Sequence, residues 1–297
     1  MSSFLKSLSV FSSGLLISSF VILPVHEVTS VVVAQNNGQA AEAKVSQGLQ
    51  LIQQGRLSDA IAAFRQATQI NPNMAAAHYN LGLALRQQGQ LQASATAFHQ
   101  ATQADPNFAL AYANLGATLI EGNNLTQARD YLQRSLELDP KLGLSHYNLG
   151  LVLELQGDLQ GAAGAFREAA QFTPNAPEPL YHLGLVYQKQ QKLGDAIAAF
   201  RQAVQRNPNY AEAHYSLGSI LFGQGDLGSA LTAFRQSSQA NPNYANAYYG
   251  AGLVFLRQNK SSDAQQTLSY AKNLFTIQKN LPWAEKSEQQ LKKIGNQ

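Results

Sequence analysis

The sequence predicts an all-α protein, an α-solenoid in which helix pairs stack one after another. Proline recurs at intervals of 34 residues, at positions 72, 106, 140, 174, 208 and 242. Within each interval, two stretches place apolar residues at i, i+3, i+4 and i+7, the spacing of one helix face. A fixed period of this length is typical of repeated helical units that bury apolar surface only by stacking.

The prolines also set the boundaries of seven repeats. In the first helix of an inner repeat, Leu183-Gly184 is one of five Leu-Gly pairs, and in the second helix small Ala196 precedes large Phe200 by four residues. Gly or Asn stands between the helices at the left-handed cap position in every repeat but one, where Gln191 is expected to cost a little stability. The predicted repeats are 41–74, 75–108, 109–142, 143–176, 177–210, 211–244 and 245–276.

This pattern resembles the tetratricopeptide repeat (TPR) family over residues 41 to about 276. The resemblance implies antiparallel helix pairs stacked into a right-handed superhelix with a concave groove. The repeats are also similar to those of the superhelix in O-linked sugar transferases, but the sequence contains no transferase domain. The family binds other proteins, so the resemblance implies an interaction scaffold or adaptor and not an enzyme.

The segments that flank the repeats differ from them. Residues 35–40 are predicted to be a linker. Residues 277–297 are predicted to form a C-terminal capping helix, because Pro282 suits a first helical turn and Lys and Glu make its outer side polar.

The first 34 residues resemble an export signal. Lys6 precedes an uncharged apolar stretch over residues 7–25, and Ala34 ends a run of small or short side chains. Cleavage after Ala34 would place the protein in a periplasm, a lumen or the extracellular space. The alternative is an uncleaved membrane anchor, since the stretch is about long enough to span a bilayer.

The resemblance also implies which residues line the groove. They occupy positions 2, 5, 6, 9, 12 and 13 of the first helices, called here the groove face. Tyrosines there offer rigid amphipathic contact area, and asparagines can bond a peptide backbone, as in the similar asparagine ladder of the sugar transferases. The alternative is family consensus without a ligand role. The candidate residues are Tyr79, Asn80, Leu83, Asn114, Tyr147, Asn148, Leu151, Tyr181, His182, Leu185, Tyr215 and Tyr249.

Other chemistries receive little support from the sequence. The chain has no cysteine, and His78, His146 and His214 lie two repeats apart, so neither a metal nor a catalytic site is predicted. No cofactor motif is present. The resemblance implies that a carboxylate clamp would need Lys or Arg at positions 2, 5 or 6 of the first helices. Neither residue occurs at these positions, so such a clamp is not predicted.

The partner is therefore expected to be a protein or peptide. The body over residues 35–255 is nearly neutral, which argues against nucleic acid. A membrane would be contacted only through residues 1–25, if these are uncleaved. The predicted function is an assembly factor in the cell envelope or a membrane-bounded lumen. The alternatives are a self-associating structural protein and a regulatory subunit of an enzyme on another chain.

N-terminal sequencing of native protein tests the predicted export signal. Gln35 is expected as the first residue, because cleavage follows the small side chain of Ala34. A fully soluble protein that begins at Met1 or Ser2 would contradict both export and anchoring.

Overall fold

The computed structural model describes residues 32–295, with side chains from residue 38 onward. Within this range the chain forms fifteen α-helices and no strand, which confirms the predicted all-α solenoid class. The helices are α1 (Val32–Gln53), α2 (Leu57–Ile70), α3 (Ala75–Gln87), α4 (Leu91–Ala104), α5 (Ala109–Glu121), α6 (Leu125–Leu138), α7 (Gly143–Leu155), α8 (Leu159–Phe172), α9 (Glu178–Lys189), α10 (Leu193–Arg206), α11 (Ala211–Gly223), α12 (Leu227–Ala240), α13 (Ala245–Arg257), α14 (Ser261–Ile277) and α15 (Leu281–Gly295).

The helices group into two compact units that meet in sequence between Gly157 and Asp158, inside the fourth predicted repeat. In the N-terminal unit α1 packs on α2, α3 on α4 and α5 on α6, and α7 follows against α6. In the C-terminal unit α9 packs on α10, α11 on α12 and α13 on α14, with α8 against α9 and α15 against α14. Each pair is joined by a short turn, so neighbouring helices run antiparallel.

Both segments that flank the repeats contain a helix in the structure. The predicted linker over residues 35–40 is helical instead, because α1 begins at Val32 and continues to Gln53. The Ala-rich sequence that follows Gly38 favours this helix and contains no proline to interrupt it. At the other end, α15 lies where the capping helix was expected and buries Ala284 and Ser287. Residues 1–31 of the predicted signal or anchor lie outside the described residues.

The two helices of a repeat approach closely because a glycine in the first helix faces a large side chain in the second. A Cβ atom built on Gly184 would lie 2.6 Å from the Phe200 ring, and Phe200 is completely buried. Real Cβ atoms do not come that close to neighbouring carbon, so only glycine permits the observed separation. The same relation joins Gly48 to Phe64, Gly82 to Phe98, Gly116 to Leu132, Gly218 to Phe234 and Gly252 to Leu268.

A left-handed residue ends the first helix of each repeat, whatever its side chain. Gln191 adopts a φ of 61°, and the N–H of Lys192 donates to the carbonyl of Tyr187 at 2.9 Å. This six-to-one bond closes the helix end as in the Schellman motif. The same turn also occurs at Lys279, with a φ of 56°, between α14 and α15, where the sequence pattern did not predict it.

The three histidines that alternate between repeats have a structural role. The Nε2 atoms of His78, His146 and His214 lie 2.8, 2.8 and 2.9 Å from the carbonyl oxygens of the prolines six residues earlier. Each ring thus fastens the loop that enters the first helix of its repeat. This contact explains the histidine pattern without a metal.

A pair of glycine substitutions in the C-terminal unit tests the helix contact. Gly184→Ala should lower the free energy of unfolding by about 1–3 kcal/mol, because the new methyl group overpacks against Phe200. Gly164→Ala, in α8, is the control, since a Cβ there has no neighbour within 4 Å. It should raise stability by up to about 1 kcal/mol through helix propensity alone. Urea unfolding of both variants measures this, and equal shifts would contradict the close contact.

Candidate functional site

In the N-terminal unit, the predicted groove residues are buried and not exposed in an open groove. Their side chains are no more than 5% accessible. The Asn80 amide donates to the carbonyl of Ala76 at 2.9 Å, and the Asn114 amide donates to that of Leu110 at 2.9 Å. These bonds occupy the amides within their own helices. The seven residues are Tyr79, Asn80, Leu83, Asn114, Tyr147, Asn148 and Leu151.

Tyr79 shows why this face is closed. Its ring centroid lies 4.8 Å from that of Phe108, the residue that precedes α5, and Asn114 donates to its hydroxyl at 3.2 Å. Burial raises the pKa of the phenol well above its usual range, although Arg86 and the Asn114 bond act in the other direction. Arg86 in turn donates from Nε to Glu121 at 2.9 Å. The groove face here joins consecutive repeats.

In the C-terminal unit, the predicted residues are more accessible. Tyr181, Tyr215, Tyr249 and Leu185 are half-buried. His182 differs, since it is 2% exposed and stacks on Phe166 with ring centroids 5.3 Å apart. The His182 side chain therefore takes part in the packing between α8 and α9. The role of His182 in binding a partner stays a prediction.

The three tyrosines belong to a longer aromatic surface, called here the tyrosine stripe. Its members pair along the unit, with centroid distances of 5.0 Å for Tyr181 and Tyr210, 5.5 Å for Tyr215 and Tyr244, and 5.4 Å for Tyr249 and Trp283. All six side chains are half-buried. The stripe is composed of Tyr181, Tyr210, Tyr215, Tyr244, Tyr249 and Trp283.

Half of this stripe was not predicted from the sequence. Tyr210 and Tyr244 are the last residues of their repeats and directly precede α11 and α13. The signal available in the sequence was an aromatic residue two places after Pro208 and after Pro242. Trp283 was assigned only to the capping helix, yet it pairs with Tyr249 as Tyr210 pairs with Tyr181 and Tyr244 with Tyr215.

The tyrosines of the stripe influence one another electrostatically. Burial raises the pKa of the Tyr244 phenol, and the neighbouring Tyr181 and Glu212 raise it further. Burial also raises the pKa of Tyr249, while a hydrogen bond with Gln290 on α15 lowers it. The phenols of Tyr244 and Tyr249 therefore stay neutral at physiological pH, able to accept and donate hydrogen bonds beside apolar ring faces.

Residues 32–295 hold no cluster of three His, Asp or Glu side chains with the geometry of a metal site. In the same range, every helix is too short or too polar to cross a bilayer.

Comparison with protein families settles the class of the repeats. A family model described as tetratricopeptide repeat matches residues 79–143, 114–177, 181–242 and 221–272, more than half of the chain. A second model, described as TPR repeat, matches residues 48–86. The chain belongs to the tetratricopeptide repeat family. The predicted family is thus confirmed, and TPR proteins as a class are protein-interaction scaffolds.

Solved structures show the same fold. YrrB, described as a TPR protein with an unusual peptide-binding site, is 27% identical with a TM-score of 0.54, over 66% of this chain and 99% of its own. PilF of Pseudomonas aeruginosa is 20% identical with a TM-score of 0.63, over 71% of this chain and 96% of its own. MamA is 24% identical with a TM-score of 0.51, over 56% and 96% respectively. No protein with a curated function matches the chain.

The buried Tyr79 predicts a pH dependence of stability. Its folded-state pKa is raised, so its stabilising contribution is complete below the unfolded-state pKa of about 10 and is lost as the pH rises above it. Tyr79→Phe should therefore lose less stability than the wild type above pH 10, by up to about 1.4 kcal/mol per pH unit.

Urea unfolding between neutral and alkaline pH tests this prediction. Tyr270→Phe is the control, because the side chain of Tyr270 is 47% exposed. The prediction fails if Tyr79→Phe and the wild type lose stability in parallel.

Proposed function

We propose that this TPR protein is a non-catalytic adaptor that holds a segment of another protein on the tyrosine stripe of its C-terminal unit. The supporting observation is the run of six half-buried aromatic side chains across three consecutive repeats and the capping helix. Tyr and Trp are enriched where proteins bind one another, because their rings bury large areas at little entropic cost.

The contrast between the two units supports this assignment. In the N-terminal unit, the equivalent tyrosines are at most 3% exposed, and two asparagines use their amides inside the fold. A partner could reach them only by displacing existing contacts. The asparagine ladder over Asn80, Asn114 and Asn148 is therefore a weaker proposal than the stripe, where part of every ring is already accessible.

The ligand class follows from two considerations. YrrB, the 27% identical TPR protein, carries a peptide-binding site by its description. The stripe also fits a polypeptide better than a small molecule, because its three aromatic pairs follow one another from repeat to repeat. An extended or helical segment would contact all three pairs at once.

The proposed cellular role is assembly or adaptation outside the cytoplasm, in a cell envelope or membrane-bounded lumen. Support comes from the sequence of residues 1–34, with Lys6, the apolar stretch and Ala34 in the order of an export signal. In the self-association alternative the bound chain is a second copy of this protein, and in the enzyme-subunit alternative it is a different protein. Light scattering over a dilution series distinguishes these two cases.

Blocking the stripe with a bulky residue tests the proposed function. Ser219 is half-buried on α11, one helical turn after Tyr215, so Ser219→Trp should obstruct the stripe without removing core packing. The matched control is Gln239→Trp on the exposed side of α12. Tagged full-length wild type and tagged Gln239→Trp should both retain the same partner. Tagged Ser219→Trp should lose it.

Circular dichroism and urea unfolding first establish that both variants are folded. Undiminished partner capture by Ser219→Trp would contradict the assignment to the stripe. Loss of capture only by Gln239→Trp would move the site to the second helices.

A further inference from the structure

We infer that the tyrosine stripe selects a polypeptide segment that carries Lys or Arg side chains at regular spacing. This inference rests on the proposed function and names the chemistry of its partner. Three observations in the C-terminal unit support it: two carboxylates on the helices that carry the stripe, the absence of a Lys or Arg partner for them among residues 38–295, and cations already bound to aromatic faces.

The carboxylates recur with the repeat. Glu178 and Glu212 occupy the second position of consecutive repeats, in the first turns of α9 and α11, and both are half-buried. Glu212 lies close enough to the Tyr244 phenol to raise its pKa, after the larger effect of burial. The third repeat has neutral Asn246 at this position, and its side chain bonds with Tyr244.

Among residues 38–295, neither Glu178 nor Glu212 forms an ion pair with Lys or Arg. Burial raises the pKa of the Glu178 carboxyl, since its charged form is partly desolvated, and a backbone hydrogen bond and the nearby His182 ring offset only part of this effect. A cation supplied by a partner would offset this desolvation, whereas an acidic segment would add to it.

Aromatic rings of this unit already accept cations from their own chain. The Lys286 Nζ lies 4.1 Å from the Trp283 ring centroid, at the end of the stripe. The Arg257 guanidinium lies 4.2 Å from the ring centroid of Phe222 on α11. Both distances are within the range of cation–π attraction. The stripe thus combines the two kinds of group, carboxylate and aromatic face, that bind ammonium and guanidinium.

The repeat suggests a spacing for the cations. Helices in contact have axes about 8–10 Å apart, and an extended chain advances about 3.3 Å per residue. Basic side chains three residues apart would therefore meet equivalent positions of consecutive repeats. Apolar side chains between them would lie against the tyrosine rings.

The test uses three fluorescein-labelled peptides of about twelve residues, sized to span three repeats. Every third residue is Lys in the first peptide, Gln in the second and Glu in the third. The residues between these positions are Val and Leu in all three peptides. Fluorescence anisotropy with the full chain should give tightest binding for the Lys peptide and weakest for the Glu peptide. Raising the salt from about 0.05 M to 0.5 M should weaken Lys-peptide binding and barely affect the Gln peptide.

The double variant Glu178→Gln, Glu212→Gln should weaken Lys-peptide binding about three- to tenfold and leave Gln-peptide binding unchanged. Glu168→Gln, on an exposed position of α8, is the matched control and should change neither. Equal affinity for the Lys and Gln peptides, tighter binding of the Glu peptide, or no binding of the Lys peptide would overturn the inference.

The two proposals fail in distinguishable ways. If the Lys and Gln peptides bind equally and Ser219→Trp abolishes both, charge selection is wrong and the stripe is still the binding surface. If Lys-peptide binding depends on the two glutamates but survives in Ser219→Trp, the carboxylates recruit cations away from the stripe. That outcome overturns this inference as stated.

Discussion

The contact between a glycine of the first helix and a large side chain of the second helix determines the geometry of each repeat. Phe200 can lie fully buried against α9 only because Gly184 has no side chain. The two backbones then approach closely enough for small residues, such as Ala196 and Ala203, to complete the packing. This packing, in which glycine and alanine take part, occupies one face of each first helix. The other face is available to contact the next repeat or a partner.

The two units use that remaining face differently. In the N-terminal unit, position six is Asn80 and Asn114, whose amides cap carbonyls of their own helices and, at Asn114, reach Tyr79 of the preceding repeat. In the C-terminal unit the same position holds His182, which stacks on Phe166, and the smaller Ser216 and Gly250. In both units a tyrosine pairs with the aromatic residue that precedes the next first helix, as Tyr79 does with Phe108 and Tyr181 with Tyr210. Ser216 and Gly250, however, carry no amide such as the one with which Asn114 reaches Tyr79. The result is a closed surface in one unit and a partly accessible aromatic stripe in the other.

Sequence periodicity predicted those features that depend on local geometry. Helix positions, the helix-pair register and the left-handed turns follow from spacing within one repeat, and even the unsuitable Gln191 adopts the predicted conformation with a φ of 61°. Features that depend on contacts between repeats were not predictable in this way. The burial of Tyr79 requires Phe108 and Asn114 from outside its helix, and the contribution of Trp283 requires α15 to fold against α14.

The central claim is that a bound segment lies on the stripe, and the chain provides its own probe because Trp283 is its one tryptophan. The measurement is Trp283 emission, with acrylamide quenching, during titration with a tryptophan-free ligand whose binding is followed independently. A segment on the stripe should change the emission saturably, in parallel with binding, and should protect Trp283 from the quencher. Saturable binding that leaves both the emission and the quenching of Trp283 unchanged would contradict the account.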